Sequence, residues 1–70
     1  MTNFSPFITV KTTKYKECSI NVKTVALVIS DGAYRCRLYV TGDPVGVELD
    51  MSRANVMQLI EDKLKDIYYA

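Results

Sequence analysis

Apolar and polar positions alternate with a period of two over most of the chain and with a period near 3.6 over its last third. The pattern predicts several strands followed by one helix. Phe7 to Thr13 is rich in β-branched residues, with Ile8 and Val10 on one face and Thr9 and Lys11 on the other. After a polar connection at Lys14 to Glu17, Cys18, Ile20 and Val22 alternate with Ser19, Asn21 and Lys23, giving a second half-buried strand. Val25 to Ile29 is the most apolar run and ends at Ser30-Asp31-Gly32-Ala33. Asp-Gly between two strand patterns is a strong hairpin signal, because a type I′ turn needs positive φ at both central residues.

A two-residue loop at Asp31-Gly32 predicts Ile29 opposite Tyr34, Leu27 opposite Cys36 and Val25 opposite Leu38, all on one face. The next strand, Tyr34 to Val40, turns at Thr41-Gly42-Asp43-Pro44 into Val45 to Leu49. That loop length sets Val40 opposite Val45, Leu38 opposite Val47 and Cys36 opposite Leu49. On the other face it sets Arg37 opposite Glu48 and Arg35 opposite Asp50, two opposite-charge pairs in a register chosen for its apolar pairs. Odd positions from Val25 to Ile29 and even positions from Tyr34 to Val40 therefore point inward.

Ser52 to Tyr68 reads as the helix. Ser52 is placed to cap it, and Met51 and Val56 stand at staple positions. Val56, Leu59, Ile60, Leu64 and Ile67 form its apolar stripe, and Glu61 and Lys65 an i, i+4 pair on the polar side. The fold class is α+β: a small antiparallel β-sheet or partly closed β-roll of about five strands with one C-terminal helix packed on it. Residues 1–70 make a single domain, divided into a loose leader at 1–6, the sheet at 7–50 and the helix at 52–68.

Composition adds limits. The chain has 70 residues, 49% of them apolar and 24% charged, with a net charge of +1. This is globular composition near the lower size limit for a self-sufficient core, so part of the apolar surface is expected to meet a partner or a second copy. The small net charge disfavours non-specific nucleic-acid binding. The chain carries no run long enough to span a membrane and no secretory pattern at its start, so a cytoplasmic location is expected. In that compartment Cys18 and Cys36 are expected as free thiols. Two cysteines without histidine cannot make a tetrahedral zinc site without carboxylates, and no metal or other cofactor is expected. Without histidine, and with both cysteines on the inward face, no catalytic residues are assigned and the chain is not expected to be an enzyme.

The candidate contact surface is the outer sheet face, where Ala26, Val28, Arg35, Arg37 and Tyr39 combine apolar area with charge-assisted hydrogen bonding. Arg35 and Arg37 also have a simpler role, pairing with Asp50 and Glu48 while their stems cover apolar neighbours. Tyr68 and Tyr69 cannot both face the core from one helix, so the tail is a second candidate contact. The expected function is a non-catalytic module that binds another protein, with homodimerisation open. A nucleic-acid platform built on Tyr39 and Arg37 is one alternative, and a structural subunit of a larger assembly is another.

The stretches Ser19-Ile20-Asn21-Val22, Cys36-Arg37-Leu38-Tyr39-Val40-Thr41-Gly42 and the helix opened by Ser52 resemble the small FlbD/SwrD-like proteins associated with bacterial flagella, and similar small proteins of bacteria and their phages. The resemblance spans roughly Phe7 to Leu64. It implies an accessory or regulatory role and brings no catalytic residues. The leader before Phe7 and Asp43-Pro44 depart from the pattern.

Overall fold

The structure, a computed structural model, describes residues 5–69. Five strands and one long helix follow in order: β1 (Phe7–Lys11), β2 (Glu17–Asn21), a 3-10 turn (Val22–Thr24), β3 (Val25–Ser30), β4 (Cys36–Val40), β5 (Val47–Leu49) and α1 (Arg53–Tyr69). The fold is α+β, as expected, but its strands form two small antiparallel sheets, β1-β2 and β3-β4-β5, and no closed barrel. A single bridge between Thr12 and Leu49 joins them. Two backbone bonds flank it, from Thr13 N–H to Glu48 C=O at 3.2 Å and from Asp50 N–H to Lys11 C=O at 2.9 Å.

The first hairpin keeps its expected faces. Ile8 pairs with Ile20 and Val10 with Cys18; Ile8, Val10 and Ile20 are buried and Cys18 is half-buried. Its connection is held by Thr12, whose hydroxyl accepts from the Tyr15 N–H at 2.7 Å and donates to the Tyr15 carbonyl. This two-way bond satisfies the hydroxyl where it is buried. Asn21 caps the 3-10 turn by accepting from Lys23 N–H at 2.9 Å, which bends the chain from the first sheet into the second. Residues 1–4 of the expected leader lie outside the described residues. Its last residue is anchored, since the Pro6 carbonyl accepts from Val22 N–H at 2.9 Å.

The β4–β5 register is the expected one: Cys36 opposite Leu49, Arg37 opposite Glu48 and Leu38 opposite Val47. The strand is shorter than expected, because β5 starts at Val47 and Val45 lies exposed in the turn instead of pairing with Val40.

The β3–β4 register differs. Val28 pairs with Leu38, Leu27 with Tyr39, Ile29 with Arg37 and Ser30 with Cys36. The connection is a five-residue loop, 31–35, closed by a bond from Asp31 N–H to Arg35 C=O at 2.9 Å. A type I′ turn at Asp31-Gly32 does not form, because only Gly32 takes positive φ, at +85°. Tyr34, expected opposite Ile29, is 82% exposed in this loop. A bulge between Val25 and Leu27 changes the strand's phase. It lets both Val25 and Val28 pack on the core and turns Leu27 and Ile29 outward. Because the run is apolar on both faces, alternation alone left its inward side open.

The helix begins where its cap predicts. Ser52 Oγ accepts from Asn55 N–H at 3.2 Å, and the Ser52 carbonyl accepts the first helical bond from Val56 N–H at 3.1 Å. Val56 and Ile60 are buried, and Met51, Met57, Leu64 and Ile67 pack beside them. Leu59 is exposed, contrary to expectation, because the stripe is centred on Val56, Ile60 and Leu64 with Met57 on the flank facing β3. On the polar side Gln58 Nε2 donates to Asp62 Oδ1 at 2.9 Å; among the described residues the ion pairs are Arg37 with Glu48, between β4 and β5, and Arg35 with Asp50, just beyond the ends of those strands, not Glu61 with Lys65. The core thus joins Ile8, Val10, Ile20 and Val22 to Cys36, Leu38, Leu49, Val56 and Ile60. Each fully buried Leu or Val in it contributes about 1.5–3 kcal/mol before chain entropy is counted.

Candidate functional site on the outer sheet face

α1 packs against β1, β3 and the 3-10 turn and shares one core with the inward residues Cys36, Leu38 and Leu49 of β4 and β5, while the outward side chains of β3, β4 and β5 form a separate surface. Two cross-strand rows build it. Leu27 of β3 stands beside Tyr39 of β4, and Ile29 stands beside Arg37, which stands beside Glu48 of β5. Leu27 and Ile29 are 51% and 47% exposed, an apolar strip on a face that meets water.

The charged row is ordered from two sides. Arg37 Nη2 lies 3.8 Å from Glu48 Oε2, and Arg37 Nη1 donates to the Val45 carbonyl at 3.2 Å. Arg35 Nε lies 3.7 Å from Asp50 Oδ1, with both side chains more than half exposed. Solvent screening holds such an exposed pair to about 0–1 kcal/mol. The Arg37 pair is better sheltered, its side chains 35% and 28% exposed, and Arg37 shares the outward side of β4 with Tyr39.

Gly46 makes that ring's position possible. Its φ is +77°, and a Cβ built there would lie 2.9 Å from Tyr39 Cε1 and 3.1 Å from Arg37 Cγ. The ring and the arginine stem therefore lie directly over bare backbone, which glycine alone permits. A cleft of about 480 Å³ opens beside this seat, lined by Thr13, Lys14, Tyr15, Arg37, Asp43, Val45 to Val47 and Glu48. Lys14 Nζ sits 5.7 Å from the Tyr15 ring centroid at its rim. The cleft carries two cations and two carboxylates, so its charge is balanced rather than basic.

Of the residues expected at the site, Arg37 and Tyr39 lie together at its centre and Arg35 lies at its end. Val28 does not belong to it. Its side chain is half-buried toward the core, and its carbonyl accepts from Arg53 Nε at 3.3 Å. Tyr68 and Tyr69 are 64% and 85% exposed on the last turn of α1, the element that packs on the core. Leu27 and Ile29, which the alternation had turned inward, take the place of Val28. Their signal in the sequence was the two-sided apolarity of β3.

Cys18 and Cys36 are free. Burial pushes both thiols above their ordinary range, and for Cys36 the nearby Arg53 charge works in the opposite direction. Both are therefore held protonated at neutral pH. Among the described residues no three Cys, Asp or Glu side chains converge in a metal-binding group, and no helix is long and apolar enough to cross a membrane. Comparison with known proteins found no matching family model, no matching curated protein and no matching solved structure.

Proposed function

We propose that the protein is a non-catalytic interaction module that binds another protein through the outer face of β3, β4 and β5. The observation that carries this reading is the exposed strip of Leu27 and Ile29 beside the ordered pair Arg37 and Tyr39. An apolar strip next to a positioned aromatic and an arginine is the composition of a contact hot spot. Glu48 and Asp50 neutralise the two arginines locally, which favours a protein partner over the nucleic-acid platform. A cytoplasmic accessory or regulatory role, of the kind the FlbD/SwrD-like pattern implies, fits a module of this sort.

The test is affinity capture from the native host, comparing wild type with Tyr39→Ala and Leu27→Asp after circular dichroism has verified each fold. A partner bound through this face should be retained at least about tenfold less by each variant, a loss of about 1.4 kcal/mol. Equal retention by wild type and both folded variants refutes the assignment. Capture of nucleic acid that falls steeply with salt supports the alternative instead.

A further inference from the structure

The free edge of the three-stranded sheet is β3. Hydrogen bonding alternates along an antiparallel pair. Since Asp31 N–H bonds to Arg35 C=O, the pairs Ile29/Arg37 and Leu27/Tyr39 exchange bonds within the sheet, and Val28 and Ser30 turn their backbone groups outward. The bond from Arg53 Nε to the Val28 carbonyl agrees with this direction.

Edge strands in native proteins are guarded by charge, proline or cover. In the two-stranded sheet, β1 ends at Lys11 and packs against α1, and β2 starts at Glu17, exposes Ser19 and is followed by Lys23. By contrast β3, Val-Ala-Leu-Val-Ile-Ser, holds no charge and no proline over six residues. Its one guard is the Arg53 side chain, an exposed group that can swing aside. The charges at its margin have opposite signs, Arg53 beside Val28 and Asp31 just after Ser30. Neither belongs to an ion pair among the described residues.

We propose that β3 pairs antiparallel with β3 of a second copy, about a two-fold axis through Ile29. In this register Val28 exchanges backbone bonds with Ser30 of the second copy, and the two Ile29 side chains face each other directly. Leu27 lies opposite Asp31 of the second copy, so that acidic residue stands about one residue step, roughly 3.4 Å along the strand, from the Val28 backbone carbonyl that Arg53 reaches. The interface is isologous, the two sheets become one of six strands, and the apolar strips of both copies join on the outer face. The inference deepens the interaction-module reading by naming one partner as the chain itself.

Sedimentation equilibrium from roughly 10 µM to 1 mM tests it, a range that covers weak to moderate self-affinity. The wild type should approach twice the 7.9 kDa chain mass. Ile29→Lys sets two like charges across the axis at a position already 47% exposed, so it should fold and weaken the dimer at least about tenfold. In a Cys18→Ser background, Ile29→Cys should form a disulfide dimer in air far faster than Tyr34→Cys, although Tyr34 is the more exposed site. A wild-type monomer at the highest concentration, a dimer indifferent to Ile29→Lys, or equal cross-linking at both sites overturns the proposal. A monomer whose partner capture still depends on Tyr39 overturns the dimer alone and leaves the outer-face reading standing.

Discussion

Replacing Gly46 by alanine separates two costs that the structure places at one residue. The first is backbone strain. At φ +77° a residue with a Cβ pays about 1–2 kcal/mol. Reduced freedom of the unfolded chain returns about 0.4–1 kcal/mol, so the net from this source is about 1 kcal/mol. The second is contact. The new Cβ would lie 2.9 Å and 3.0 Å from two atoms of the Tyr39 ring and 3.1 Å from Arg37 Cγ, inside the 3.5–4.0 Å or so of ordinary carbon contact. The ring must leave its rotamer, at about 0.5–1.5 kcal/mol, and lose part of its packing. Gly46→Ala should therefore cost about 2–3 kcal/mol. Gly32 is the control, because its φ is +85° and nothing lies within 4 Å of its built Cβ, so Gly32→Ala should cost about 1 kcal/mol. Urea unfolding followed by circular dichroism reads the difference as a midpoint lowered by about a further 1 M at the low urea dependence of a small domain. In a Tyr39→Ala background most of the excess cost of position 46 over position 32 should disappear, the Arg37 Cγ contact at 3.1 Å leaving the remainder. Equal costs at the two glycines in the wild type, or an excess undiminished by Tyr39→Ala, refutes the idea that glycine is required to seat the ring.

Two further outcomes follow from the fold. Ser52→Ala removes the side-chain cap on Asn55 N–H and should lower stability by about 1 kcal/mol in the same urea assay, with Ser52→Asp retaining most of it. The thiols Cys18 and Cys36 should alkylate slowly at pH 7, Cys18 before the fully buried Cys36, as mass spectrometry of timed iodoacetamide digests would resolve. The same upward shifts favour the protonated thiol in the folded state. Their contribution is therefore complete below the ordinary thiol range and is lost as pH rises through the raised folded values. Stability should decline on the alkaline side, and less so when Cys18 is replaced by serine.

The parts of the fold that the sequence made legible are those where two independent signals agree. Between β4 and β5, apolar pairs and charge pairs demanded the same register, and the structure has Leu38 opposite Val47 and Arg37 opposite Glu48. At Ser52 the cap, the staple and the start of the apolar stripe coincide, and the helix begins at Arg53. A single clean alternation was enough for the first hairpin, but two other lone signals failed. Asp31-Gly32 suggested a tight turn, but aspartate did not take positive φ, and the loop widened to five residues. The apolar run of β3 could serve either face, and the bulge that settles the matter leaves no mark in the pattern of hydrophobicity. The same ambiguity misplaced the contact surface: Arg37 and Tyr39 were found because β4 alternates cleanly, while Val28 was exchanged with its neighbours Leu27 and Ile29.

The single bridge between Thr12 and Leu49 bears on how quickly the chain reaches this state. Every other strand pairing joins neighbours along the chain, β1 to β2, β3 to β4 and β4 to β5, so each closes a short loop at small entropic cost. The seam between the sheets and the packing of α1 on β1 are what ask distant residues to meet before any pairing rewards them. Both closures span the connection between β2 and β3, so lengthening it should slow refolding, whereas lengthening the loop at Asp31 to Arg35 should act chiefly on the local hairpin.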